Sequence, residues 1–363
     1  FPNDKWIATA AAVNSVRVWD LDSATQLFSL EPTGRAAALA VSADNKWLMT
    51  GSEDTKVGQE SRYSAKVWNV ETHELAFELT GQTANGYRGH LSEVTAVAFS
   101  PDGTLALTGD VRGRVILWNL KTRTIKHDLE GHSPRFKISA VAFLSDGSKA
   151  LTASFDKTVA QWDVATGKEF SGSILRHGEA VTDLKVRKGD RHVVTTSRDG
   201  LVRVWDLDTT SQPVATVKVE GQPRAVSISD DGTRAVASAE RPNSLSVIRL
   251  NGLDKAATNG TVELAAERTV SLESQRQLGA AVFTPGVGGK RVVVLGGAEA
   301  RLLALATGTV EKTFSPLGIV ASANFSTNGK WIVTASWDRT ARIWDAATGA
   351  DIRKLSGPNG HRG

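Results

Sequence analysis

The sequence predicts an all-β chain assembled from eight copies of one four-stranded unit, and three observations predict it. The first is residues 330–349, KWIVTASWDRTARIWDAATG: a short alternating run, a turn at Trp337-Asp338-Arg339-Thr340, a second run ending in Trp344-Asp345, and a closing turn at Ala347-Thr348-Gly349. Two β-rich runs around a tight turn read as a hairpin, and one hairpin cannot bury its apolar face alone. The second is recurrence. The corresponding second runs end at Trp19, Trp68, Trp118, Trp162, Trp205, Ile248, Leu303 and Trp344, 41 to 55 residues apart. A self-similar period in this range marks stacked or radial repeats, each one a supersecondary unit. The third is that no segment carries a helical period.

Taken in order, each unit reads as strands a, b, c and d. The first unit lacks strand a and has b at 6–10, c at 16–19 and d near 26–30. The second covers 35–79, with an insertion at 55–63 between b and c, and a Gly/Asn/Gln-rich loop at 81–88 follows it. The third (94–129), fourth (138–175) and fifth (181–219) are the most regular. The sixth starts near Arg224 and turns irregular over 251–277, with Asn259-Gly260 read as a hairpin turn. The seventh, 279–314, has lost the Trp-Asp pair, and the eighth, 319–355, is regular again. The a–b turns carry Asp102-Gly103, Asp146-Gly147, Asp231-Gly232 and Asn328-Gly329, where glycine supplies the positive φ of such a turn.

The dipeptides Gly89-His90, Gly131-His132, Trp19-Asp20, Trp162-Asp163, Trp205-Asp206 and Trp344-Asp345 sit in register with this pattern, as do the degenerate pairs Trp68-Asn69 and Trp118-Asn119. On these residues the chain resembles the WD-repeat β-propeller family over nearly its whole length. The resemblance implies a single domain over 1–363, an eight-bladed propeller of four-stranded antiparallel blades whose first blade lacks its inner strand. The alternative is a seven-bladed ring over 35–355 with residues 1–31 left over from a preceding propeller. Phe1-Pro2-Asn3-Asp4-Lys5-Trp6 looks like the turn after a strand a, and Gly360-His361 like the start of another repeat. A fragment of a longer, bacterial-type protein is therefore expected.

Composition narrows the function. The chain has 40% hydrophobic and 23% charged residues, ordinary for a globular protein. A net charge of +4 is too small to imply a nucleic-acid footprint. There is no cysteine, hence no disulfide and no thiolate metal site, and the compartment stays open. No apolar run approaches the ~20 residues that span a bilayer, so no membrane insertion is expected. The seven histidines are scattered by repeat, not clustered, and no cofactor or metal site is expected. Residues 286–291, GVGGKR, lack the leading Gly and the Ser/Thr of a phosphate loop and read as a plain loop.

The family resemblance also implies a buried relay in each blade: a His before strand a, a Ser/Thr on strand b, an Asp in the b–c turn and the Trp on strand c. Matching sets are His132, Thr152, Asp156 and Trp162, and His177, Thr195, Asp199 and Trp205. Thr334, Asp338 and Trp344 lack the His. Trp118 has Thr108 and His90, but Arg112 stands where Asp is expected, so either Asp110 substitutes or the relay is broken. Trp68 has Thr50 and Asp54, with the insertion displacing the Trp. In the seventh unit Val293, Gly297 and Leu303 are apolar together. A Ser/Thr, His and Asp set invites a protease reading. An active site occurs once, whereas a structural device recurs, so these residues are expected to be structural and the chain not an enzyme.

What remains is a surface. The resemblance implies that partners dock on the face bearing the b–c turns and the loops before strand a. Positions matching it are Trp337, Phe155, Arg198, Arg224, Lys137, Glu93, Arg35 and Glu53, with Val111 in the Arg112 blade. Large aromatics beside arginines fit the composition of binding hot spots. The expectation is a non-catalytic scaffold binding a protein or peptide there, with the excess of Arg and Lys favouring an acidic segment. Two alternatives are a sensor or substrate-docking module whose catalytic domain lies outside the chain, and an enzyme with its site at the channel mouth. The residues of the inner strands are mostly small and apolar, which weighs against the latter.

Overall fold

The structure, a computed structural model, describes residues 1, 5–10, 16–20, 23, 25–30, 36–52, 55–57, 60–83, 86–87, 89–170, 174–187, 189, 191–208, 212–251, 262–271, 278–286, 288–316, 318–326, 328–336, 338 and 340–355. Among these there is no helix. The strands form eight successive antiparallel meanders and two separate two-stranded hairpins, one of them Gln82–Thr83 on Gly86–Tyr87 in the stretch read as a loop. The chain divides into two compact units, residues 1–20 with 26–176, and residues 21–25 with 177–363.

The first unit holds four of these meanders. Trp6–Ala10, Val16–Asp20 and Gln26–Leu30 form a three-stranded sheet, as expected for a unit without strand a. Its Val16, Val18, Phe28 and Leu30 pack with Leu48, Trp68 and Val70 of the second sheet in one buried cluster. These three strands are thus a working member of the array, and the reading of residues 1–31 as a leftover is set aside. The insertion at 55–63 is a small hairpin of its own, Thr55–Val57 on Glu60–Arg62. It leaves the second sheet's register intact, because Ala65–Asn69 still pairs with Trp47–Ser52.

The third and fourth sheets show the pattern most plainly. In the third, Val94–Phe99, Leu105–Asp110, Val115–Asn119 and Thr124–Leu129 run from innermost to outermost. The two middle strands are buried on both faces, since neighbouring sheets cover each side, whereas the outermost is largely half-exposed. Leu107, Val115, Leu117 and Leu129 join Ile138, Ala150 and Trp162 of the fourth sheet in one cluster. Burying a large apolar side chain in this way contributes about 1.5–3 kcal/mol each.

The second unit repeats the arrangement with one departure. Two described strands follow strand c of the sixth sheet. Val262–Leu264 adds in parallel to Ala215–Lys218 at the outer edge of the fifth sheet, and Arg268–Ser271 then returns as the outermost strand of the sixth. The added strand covers an edge whose backbone groups would otherwise be unpaired. The turn expected at Asn259-Gly260 lies outside the described residues. The expected a–b turn glycines do hold positive φ: Gly103 at 69°, Gly147 at 71°, Gly232 at 66° and Gly329 at 69°.

Candidate functional site

The polar landmarks occupy one buried position per sheet. In the fourth sheet, His132 Nδ1 lies 2.9 Å from Asp156 Oδ2, its Nε2 lies 2.7 Å from Thr152 Oγ1, and Trp162 Nε1 donates to the same Oγ1 at 2.8 Å. With a neutral imidazole, one directional chain satisfies every member. The indole N–H donates to the threonine oxygen, the threonine hydroxyl to Nε2, and Nδ1–H to the carboxylate. Burial pushes the Asp156 carboxyl up. The hydrogen bond and charge of His132 and the bonds from Thr158 and the Ser133 amide outweigh it, and the pKa falls to about 2.

The same geometry recurs in the third sheet, where His90 bridges Asp110 (2.9 Å) and Thr108 (2.7 Å), and Trp118 donates to Thr108 at 2.7 Å. The carboxylate comes from the end of strand b, not from the b–c turn, so Asp110 substitutes for the missing turn residue. Its other oxygen accepts the amides of Arg112 and Arg114, which folds the turn around it. In the fifth sheet Thr195 joins His177 and Trp205, each at 2.8 Å. Asp199 there accepts the Gly178 amide at 2.8 Å and pairs with Arg203 at 2.8 Å.

The second and eighth sheets keep part of the set. Trp68 donates to Thr50 at 3.1 Å in spite of the insertion, and Trp344 to Thr334 at 2.8 Å. Asp338 is held by Thr340 through one oxygen, and its other oxygen is buried without a partner among the described residues. Ile248 pairs with Ala235 and Leu303 with Val292, the places that Trp118 and Ala106 hold in the third sheet. Two residues on from Val292 is Val294, so Val294, not Val293, stands where the other sheets carry threonine. Val293 faces the opposite cluster, with Leu295 and Leu302. In two of the Trp-Asp pairs the Asp is a turn cap: Asp163 and Asp345 Oδ1 each accept a threonine amide at 2.7 Å. Asn69 and Asn119 do the same with their amide oxygens, which is why Trp-Asn serves as well as Trp-Asp.

Among the described residues, no group of three or more His, Asp or Glu is placed to hold a metal. Among the same residues, no helix is long and apolar enough to cross a membrane.

The expected surface positions fall in both units. In the first, Phe155 and Lys137 are half-buried, and the Phe155 amide donates to the Lys137 carbonyl at 2.9 Å. Glu93 is half-buried, and its carbonyl accepts the Val111 amide at 3.0 Å. In the second unit Arg198 is exposed, and Arg224 is exposed and reaches Glu240 at 3.5 Å. Trp337, Arg35 and Glu53 lie outside the described residues. The spacing of the repeats did not mark Leu91, Arg135 and Phe136, which the structure exposes. Their only signal is apolar or cationic character in loops before strand a.

Comparison with known proteins agrees with this architecture. The family described as WD domain, G-beta repeat matches residues 81–119, 123–163, 168–206 and 308–345. The nuclear distribution protein nudF of Emericella nidulans is 26% identical over 298 residues, covering 75% of this chain and 64% of that protein. The small ribosomal subunit protein RACK1 of Schizosaccharomyces pombe is 27% identical over 122 residues, covering 33% of this chain and 35% of that protein. The human angio-associated migratory cell protein is 35% identical over 91 residues, covering 24% of this chain and 17% of that protein. The chain thus spans less than two thirds of the length of each of these relatives. Among solved structures, the computationally designed Ika8 protein superposes with a TM-score of 0.71 at 22% identity, covering 94% of this chain and 93% of that one, a likeness of fold. The four matched segments end at Asn119, Asp163, Asp206 and Asp345, the Trp-Asn or Trp-Asp ends of strand c, so the chain carries WD repeats among its eight antiparallel meanders, the first of three strands.

Proposed function

We propose that the chain is a non-catalytic scaffold that binds a protein or peptide through the b–c turns and the loops before strand a. The observation that carries this is the fate of the chemically able side chains. His90, His132 and His177, with their threonines and carboxylates, are tied up inside separate sheets, and the same contacts recur from sheet to sheet. The turns and loops themselves carry apolar and cationic side chains: half-buried Phe155 and Lys137 with the acidic Glu93 in the first unit, and exposed Arg198 and Arg224 in the second. Trp337, Arg35 and Glu53 belong to the same set by sequence. A partner offering an acidic segment complements this charge. One relative is named as a subunit of the target of rapamycin complex, which supports an assembly role.

Affinity capture with the intact chain, repeated with the double variant Trp337→Ala/Arg198→Ala, tests the reading. The specifically captured protein is expected to fall about tenfold or more, the loss of one or two hot-spot contacts. Undiminished capture contradicts it.

A further inference from the structure

Seven large hydrophobic side chains are exposed among the described residues. Leu27, Leu75, Val310 and Ile352 lie singly on outermost strands, where isolated exposed apolar residues are ordinary. The other three, Leu91 (58% exposed), Val111 (37%) and Phe136 (47%), all lie on loops of the third and fourth sheets. These loops are stitched side to side. The Val111 amide donates to the Glu93 carbonyl at 3.0 Å, the Arg112 amide to Ser92 Oγ at 3.2 Å, and the Arg135 amide to the Arg112 carbonyl at 3.2 Å. A Cβ on Gly113 would lie 2.6 Å from the Ser133 carbonyl oxygen and 3.0 Å from that of Phe136, so the turn and the loop are in close contact. Leu91, Val111 and Phe136 therefore belong to one continuous edge.

That edge is cationic. Arg112 and Arg135 are exposed on it, and among the described residues neither guanidinium has an ion-pair partner. Arg114 is different: it is committed to Asp128 at 2.5 Å. Glu93 is the nearby acid, and Lys137 offsets it. Arg135 is also held at a φ of 85°, in the left-handed region that favours glycine. Lys157, at φ 76°, stands five residues before Trp162. Gly113 and Gly200, both at 83°, stand five before Trp118 and Trp205. Cationic side chains thus occupy two strained backbone positions on this edge where glycine would relieve the strain.

We infer that this edge of the first unit docks an acidic peptide segment carrying bulky apolar side chains. Leu91, Val111 and Phe136 receive the apolar groups, and Arg112 and Arg135 pair with flanking carboxylates. The inference rests on the reading of the chain as an interaction scaffold and locates its site on the third and fourth sheets. Charge complementarity selects the occupant: unpaired guanidiniums beside apolar side chains match carboxylates beside apolar side chains.

The test is titration of the full chain with a positional-scanning set of labelled octapeptides, a Glu/Asp background bearing one Leu, Phe or Trp at each position. A subset is expected to bind and to weaken as salt is raised. The Leu91→Ser/Phe136→Ser pair is expected to weaken those peptides about tenfold or more, as removal of an apolar anchor does. Arg135→Gly supplies the second arm: its thermal midpoint is expected to rise as strain is relieved, while peptide affinity falls. The inference is overturned if no member of the set binds, or if binding survives both variants. The wider scaffold reading fails separately, if the captured partner is indifferent to Trp337→Ala/Arg198→Ala. A partner lost with that pair and kept with Leu91→Ser/Phe136→Ser would place the site on other loops.

Discussion

The fourth and seventh sheets fill one equivalent buried site by opposite means. In the fourth, Trp162, Thr152, His132 and Asp156 form an unbroken hydrogen-bonded chain. In the seventh, Leu303 and Val294 occupy the matching places, in an apolar cluster with Val292, Phe283 and Ala281. Both satisfy the same rule, that a buried polar group must be paired or absent. Partial sets are the costly state, because one member removed strands the others. The seventh sheet could therefore lose the whole set together. The eighth, which keeps Trp344, Thr334 and Asp338 without the His, carries a buried carboxylate oxygen with no partner among the described residues.

The contrast can be broken at either end, and the expected effects differ in kind. Leu303→Ala should have the largest effect, about 2–5 kcal/mol by urea denaturation, because the apolar sheet is held by filled volume alone. Thr152→Val preserves volume but removes the oxygen that serves both Trp162 and His132. Two buried groups lose a partner at ~1–2 kcal/mol each, so roughly 2–4 kcal/mol is expected by the same measurement. The reciprocal change, Val294→Thr, sharpens the comparison: it should destabilise the chain even though threonine is the residue other sheets use there.

A pH titration isolates the charged end of the fourth-sheet set. The folded pKa of Asp156, about 2, lies below its ordinary value of 3.8. The carboxylate therefore contributes stability that is fully present above pH 4 and is lost as pH falls toward 2. Asp156→Asn should flatten that part of the stability curve relative to the parent chain. The smallest effect is expected on the surface, where Phe136→Ser should change stability by no more than about 0.5 kcal/mol.

Most of the fold was legible because its signals are local. The Trp at the end of strand c and the Asp-Gly or Asn-Gly turn before strand b each mark a fixed place in a four-stranded unit. The sixth and seventh units were harder. The seventh has a two-residue b–c turn, Gly297-Ala298, so counting back from Leu303 lands one residue off and names Val293 in place of Val294. The parallel pairing of Val262–Leu264 with the fifth sheet is a long-range contact that no local period announces. Asp110 could be proposed, but not chosen over a broken relay, because reach depends on how the 111–113 turn folds. Leu91 and Phe136 were missed for a related reason: alternation predicts which strand residues face inward and is silent about loops.

Equilibrium urea unfolding of His177→Ala tests most directly whether the recurring polar sets hold the sheets together. His177 contacts Thr195, which also accepts from Trp205, so its loss leaves a buried set incomplete. The account predicts a lower unfolding midpoint, a loss of about 1–3 kcal/mol, with peptide binding by the folded variant unchanged. An unshifted midpoint accompanied by loss of a specific activity would contradict it.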